Sequence, residues 1–307
     1  GAVTLLSVVT LAACANGTNK DVVTMKGDAI SVSDFYDEIK TNQGAQQVLF
    51  QMTINKVFEK EYGSKVSDKE VDKELAKQKK QLGNQFDAYL AQQGLTEETA
   101  KKQIRSNMLL EYAVNQAAKK DIKESDYKAA FESYTPEVTA QIIKLNSEDK
   151  AKEVLEAAKA EGADFAQIAK DNSTDTATKD KGGEVKFDSG TADIPSQVKE
   201  AAFKLDENGI SDVITVSAGQ NYSASYYIVK LNKKTEKGSD WKKYEKRLKE
   251  IIVDGRKQDT NYIRSIIAKA MTNANIKVKD DAFKSTFNQY LQNIGVETSD
   301  SSSSSKK

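Results

Sequence analysis

Histidine is absent from the 307 residues, and cysteine occurs once, at Cys14. The first absence excludes histidine triads, HExxH zinc sites and imidazole general bases, and with them most hydrolase and metalloenzyme chemistry. The second excludes an internal disulfide and any CxxC metal or redox site. No cofactor and no metal are expected. Proline is scarce as well, with Pro136 and Pro195 alone, so each marks a change in the course of the chain. An excess of either charge is missing: 46 lysines and arginines balance 46 acids, which gives no electrostatic reason to expect nucleic acid as a partner. Beyond residue 13 no apolar run reaches the length of a bilayer, which excludes a polytopic membrane protein. What is present is 38% apolar residues over a length of about two domains at ~150 residues each, enough for a sizeable core.

Residues 1–13 form a short apolar stretch that ends in Leu11-Ala12-Ala13-Cys14. It is similar to the lipobox of bacterial lipoprotein signal peptides, in which the cysteine thiol receives a diacylglyceryl group and the peptide is cut just before it. That resemblance makes 1–13 a truncated signal peptide, Cys14 the lipidation site and 14–20 a lipidated polar tether. Two acyl chains at ~0.8 kcal/mol per buried CH₂ hold a protein stably at a bilayer where one chain is marginal. The expected location is the outer face of the cell membrane of a Gram-positive organism.

Val22 to Ile30 reads as two short strands around a Gly-Asp turn, with Ser31 or Ser33 capping the helix that follows. Val48, Met52 or Ile54, Val57 and Phe58 recur at helical spacing, and Ser67-Asp68-Lys69-Glu70 is a capping box for a charged helix to about Leu82. Ile104, Met108, Leu109 and Tyr112 mark a helix from about Thr96 to Lys120; a shorter one, about Glu124 to Tyr134, stops before Pro136. From there the pattern becomes β-α-α-β-α-β-β, a small antiparallel sheet packed with helices, ending near Asn232. After Lys237 the chain returns to helix. Trp241, Tyr244, Leu248, Ile251, Gly255, Tyr262 and Ile266 share one face over about seven turns, and a further helix spans 280–292. The serine run at 299–307 reads as a disordered tail. The expected class is α+β: helical segments 21–135 and 233–298 form a split frame, and 136–232 is inserted between them. The insert carries 11 lysines against 17 acids, so the frame is basic and the insert acidic.

Three segments of the insert carry a family likeness: Phe165 to Asp175, Lys181-Gly182-Gly183-Glu184-Val185-Lys186-Phe187, and Val198 to Leu205. With the strand Tyr227-Ile228-Val229-Lys230-Leu231 they resemble the rotamase signature of the parvulin-type peptidyl-prolyl isomerases. Helical flanks and a lipobox make the whole chain similar to the extracytoplasmic foldase lipoproteins of Gram-positive bacteria that carry such a module. The resemblance implies a pocket that binds an Xaa-Pro segment and lowers the ~18–20 kcal/mol barrier to rotation about its amide. No covalent step is needed, only an apolar cradle for the proline ring and polar groups that favour the twisted amide. It also assigns positions. The family's two facing histidines fall on Ile142 and Tyr227, its cysteine or aspartate on Asp175, its proline-ring contacts on Ile194 and Val198, and an aromatic on Phe203. From the residues alone, Asp175 can equally close an Asx turn, and Ile194, Val198 and Phe203 can be core contacts of one helix.

The leading expectation is a membrane-anchored chaperone of unfolded exported polypeptides whose parvulin-like module is degenerate, with weak or no isomerase activity. An active isomerase using Asp175 is one alternative. A solute-binding lipoprotein of a transporter is another, although that class is built from two α/β lobes. The partners expected are client polypeptides and the membrane; whether the chain works alone or as a homodimer is left open.

Overall fold

The computed structural model describes residues 20–217 and 224–291. Cys14, the signal-peptide reading, the tether up to residue 19 and the tail at 299–307 lie outside the described residues. Along the chain come a hairpin, β1 Asp21–Met25 and β2 Asp28–Ser31, and the helices α1 Val32–Ile39, α2 Gln43–Tyr62, α3 Asp68–Leu82, α4 Phe86–Gln92, α5 Glu97–Lys120 and α6 Glu124–Ser133. Next are β3 Val138–Leu145, α7 Glu148–Lys159, α8 Phe165–Asn172, β4 Glu184–Phe187, α9 Ser196–Lys204, β5 Ile214–Val216 and β6 Ser225–Lys233. The chain closes with α10 Glu245–Gln258, α11 Thr260–Asn273 and α12 Lys284–Leu291. The class is α+β, as expected, and the chain divides into two compact units. One comprises residues up to 120 and from 256 onward, the other 121–255.

The first unit is built from both ends of the chain. Ser31 and Asp34 form a capping box at the start of α1, and Ser67 and Glu70 do so for α3. Each supplies acceptors to amides that a helix leaves unpaired at its N-terminus. Phe50, Ile54, Val57 and Phe58 of α2 form a buried stripe, joined by Leu109 of α5 and Met271 of α11. Val48 and Met52, which share the apolar spacing, are instead 59% and 52% exposed. The reason is angular. Two residues along a helix turn about 200°, and Phe50 is held inward by the rings of Phe287 and Tyr290 at 5.4 and 4.3 Å, which turns Val48 and Met52 outward. Arg105 of α5 donates to both carboxylate oxygens of Glu59 at 2.9 and 2.7 Å and to the carbonyls of Val66 and Gly63, fastening α5 to the α2–α3 junction.

The second unit holds a four-stranded sheet in the order β4-β3-β6-β5, antiparallel at every step. Strand alternation gives it two buried faces. Val138, Ala140 and Ile142 of β3, with Val229 and Leu231 of β6, pack on Val198 and Ala202 of α9. Ile143, Leu145 and Ile228 pack on Val154 of α7 and on Phe165 and Ala169 of α8. The β-α-α-β-α-β-β order matches expectation.

The long helix after Lys237 does not. A 3₁₀ turn at Trp241–Tyr244 leads into α10, and α10 stops at Gln258. Asp259 takes an extended conformation, φ −79° and ψ 107°, and its side chain accepts from the amides of Asn261 and Tyr262. An aspartate that caps a new helix ends the old one. The aromatic residues of this segment are engaged within the unit. Trp241 stacks on Tyr127 at 5.0 Å, and Tyr244 lies 5.8 Å from Phe131 and 5.3 Å from Tyr134. Lys237 Nζ stands 4.4 Å above the Phe131 ring and donates to the carbonyls of Phe131 and Glu132 at 2.6 and 3.2 Å.

Candidate functional site

Tyr227 and Lys144 are polar members of the sheet face that carries Ile142. The register pairs Ile142 with Val229 and Lys144 with Tyr227, so Ile142 and Tyr227 are diagonal neighbours on adjacent strands. Both join the apolar cluster under α9, together with Ile194, Val198 and Phe203. The five positions assigned to the ligand pocket from the sequence thus meet in one cluster, but they are not equivalent. Ile142 is 3% exposed and Val198 is fully buried, so both form the floor and neither offers surface to a ligand. Ile194, Phe203 and Tyr227 are half-buried and can do so. Pattern reading assigned no site role to four further half-buried members, Val185, Leu205, Ile214 and Val216. Ile214 sits directly opposite Tyr227 in the sheet. The signal for Ile214 and Val216 was available, because alternation along a β-branched strand puts both on one face.

Asp175 is spent locally. One carboxylate oxygen accepts from the amide of Ala177 at 3.1 Å and the other from the hydroxyl of Thr178 at 2.7 Å. Its carbonyl accepts from the amide of Lys179 at 2.9 Å. This is an Asx turn that opens the 3₁₀ turn Lys179–Lys181. The loop is tied to β3 next door: the buried Ser173 hydroxyl accepts from the Lys144 amide at 3.2 Å, and the Thr174 amide donates to the Lys144 carbonyl at 2.8 Å. Gly183 lies against the same edge of that strand, one pair of residues earlier. Its carbonyl accepts from the Ile142 amide at 2.8 Å, and with φ +79° a Cβ there would stand 2.5 Å from the Ile142 carbonyl oxygen. Lys144 Nζ is 6.0 Å from the centre of the Tyr227 ring. The arrangement offers an apolar, partly open surface with one phenol and one ammonium beside it. It can hold an apolar ring by contact. Facing imidazoles have no counterpart in it.

A second polar centre lies at the end of β4 and went unseen in the sequence. Asp188 is 6% exposed. Its carboxylate takes both Nε and Nη2 of Arg247, at 2.6 and 2.8 Å, and the hydroxyl of Tyr134 at 3.1 Å. Thr191 Oγ1 and the Gly190 amide donate to it as well, at 3.1 and 2.9 Å. Burial works against the carboxylate, yet the guanidinium and the hydrogen bonds outweigh it and hold the carboxyl below the usual range. The same burial, with the neighbouring carboxylate, pushes the Tyr134 phenol upward. Every partner comes from this unit, and the contacts bind α10 and the end of α6 to the sheet. The role they fit is structural.

Comparison with known proteins gives a consistent result. Residues 135–233 match the Rotamase family, described as a PPIC-type PPIASE domain. The chain is 61% identical over 295 residues to the foldase protein PrsA of Streptococcus sanguinis strain SK36, covering 96% of this chain and 88% of that protein. It is 58% identical to the foldase protein PrsA of Streptococcus gordonii strain Challis, over all of this chain and 98% of the other. A crystal structure of foldase protein PrsA from Streptococcus pneumoniae superposes with a TM-score of 0.80 at 55% identity, covering 88% of this chain and 99% of that one. The foldase protein from Lactococcus lactis gives a TM-score of 0.66 at 38% identity.

Proposed function

The chain belongs to the PrsA foldase family and carries its PPIC-type domain, and on that premise we propose that it is a membrane-anchored foldase for exported polypeptides whose isomerase module is degenerate. The observation that carries the foldase reading is the extent of the likeness: alignments at about 60% overall identity span the helical unit as well as the module. Clients are unfolded or partly folded polypeptides that present apolar segments. Anchoring rests on Cys14 directly after Leu11-Ala12-Ala13.

The reading of the module as degenerate rests on chemistry. Amide rotation is accelerated only by groups that favour the twisted amide over the planar one. Ile142 offers no polar atom at the floor, and both carboxylate oxygens of Asp175 are taken up by its own loop. Binding of an apolar segment by Ile194, Phe203 and Tyr227 survives these losses; preorganised polar stabilisation does not. The test pairs two assays on the full chain, suppression of aggregation of a chemically unfolded client and acceleration of Xaa-Pro isomerisation in a short peptide. Protection with feeble isomerisation is expected. Strong isomerisation that disappears in Asp175→Ala would establish an active isomerase instead. For the anchor, Cys14→Ala should move the protein from the membrane fraction to the medium.

A further inference from the structure

The β1–β2 hairpin is exposed all along β1 and at Ile30 of β2, and three of its large apolar side chains share one face. Val23 pairs with Ile30, and Met25 lies two residues further along the same strand, so all three point to one side. Val22 is the extra residue of a bulge between Asp21 and Val23 and is exposed beside them. The four are 54% (Val22), 47% (Val23), 51% (Met25) and 40% (Ile30) exposed, and Phe35 on the adjoining α1 is 51% exposed. Charged residues stand only at the two ends of the hairpin, Lys20 and Asp21 at one and Lys26 and Asp28 at the other. A two-stranded hairpin with an uncovered apolar face is marginal in water.

We propose that this face docks on the lipid interface of the membrane; the inference rests on the reading of Cys14 as the lipidation site. Six peptide steps separate Cys14 from Lys20, a reach of about 20 Å at ~3.3–3.6 Å per residue. The hairpin therefore starts within about 20 Å of the acyl chains. Two alternatives fit less well. Pairing of β1 with a second copy is opposed by the bulge, which twists the free edge away from a flat partner. Four aliphatic side chains and one ring also fall far short of the ~800 Å² per partner that a stable protein interface buries. The bilayer needs no such area, since the anchor holds the hairpin at high effective concentration and a weak affinity then suffices.

The experiment uses the full chain with Ile30→Cys, labelled with an environment-sensitive fluorophore and reconstituted in phosphatidylglycerol–phosphatidylcholine vesicles. Tyr89→Cys, exposed in the same unit, is the comparison site, and Met25→Cys serves if Ile30→Cys alters the circular dichroism. Docking predicts a blue-shifted emission at position 30 that brominated lipid quenches, with neither effect at position 89. One reactive thiol per chain together with water-like emission at position 30 would overturn the docking while leaving the anchor intact. Two reactive thiols would show an unmodified Cys14, which removes both the anchor and the docking. Shielding of position 30 that rises with protein concentration in the absence of lipid would replace the bilayer with a second copy.

Discussion

Two residues, Gly183 and Asp188, test how the module holds together. Gly183→Ala places a Cβ against the Ile142 carbonyl in a backbone region that L-residues avoid, so a loss of about 2–4 kcal/mol is expected. Gly27→Ala is the control. Its φ of +84° is equally unusual, but no atom lies within 4 Å, so only about 1 kcal/mol is expected, both losses read by urea denaturation. Asp188→Asn leaves Arg247 facing a neutral amide in a buried setting and should cost about 2–4 kcal/mol at neutral pH, the lower part because Arg247 remains 33% exposed. The pH dependence follows from the lowered carboxyl. A depressed folded value means that the contribution is full above the unfolded value, near 3.9, and fades as pH falls through the lower folded one. Wild type and Asp188→Asn should therefore converge in thermal stability on acidification below about pH 4 and stay apart at pH 7. An undiminished gap at the acid end would show that the pair contributes by packing alone. Sequence reading located Asp175 but missed Asp188. The first lies in a recognisable Ser-Thr-Asp turn, whereas the second acquires its meaning from Arg247, 59 positions away, and no local pattern records such a pairing.

Local patterns placed the elements well and their limits less well. Capping boxes at Ser31 and Ser67 and the proline before β3 announce their boundaries through chemistry confined to a few residues. Asp259 is also a capping residue, but the apolar spacing continues across it, and spacing alone reads α10 and α11 as one helix. Trp241 and Tyr244 share the apolar spacing of that long helix, yet they lie in a 3₁₀ turn and pack on Tyr127 and Phe131 of α6. That contact yields a prediction about elements. The strands and helices of 136–232 include neither α6 nor the turn that bears Trp241, whereas 121–255 includes both and the Asp188–Arg247 pair. The longer fragment should unfold cooperatively, and the shorter one should be less stable by several kcal/mol, about 2–4 of it from leaving Asp188 buried without its guanidinium. Trp241→Ala in the longer fragment should account for about 1–3 kcal/mol of the difference, from lost stacking and burial. Equal stability of the two fragments, compared by thermal denaturation, would show that the segment 136–232 is complete without α6, the Trp241 turn and α10.

At the scale of the whole chain, the sequence conveyed the class and the family, because a signature spread over four segments survives the replacement of individual catalytic positions. It could not convey which surfaces are open, since Val48 and Val57 are both valines at helical spacing and differ only in what the rest of the chain brings against them. The first unit depends on that long-range closure. Its core takes Phe50, Phe58 and Leu109 from before residue 120, and Ile267, Met271, Phe283 and Phe287 from after 256. Removing one large buried side chain costs about 2–5 kcal/mol, and a domain has about 5–15 kcal/mol in all, so a fragment without the last four cannot remain folded. Residues 20–120 alone should thus show little cooperative melting by circular dichroism, while 20–120 mixed with 256–291 should regain helicity in proportion to the concentration of the second piece. The intervening 121–255 can be omitted from that mixture, as it contributes no residue to this core. A fragment 20–120 that melts cooperatively by itself would mean that α11 and α12 decorate a core already complete, and that the split frame is a matter of sequence order with no energetic basis.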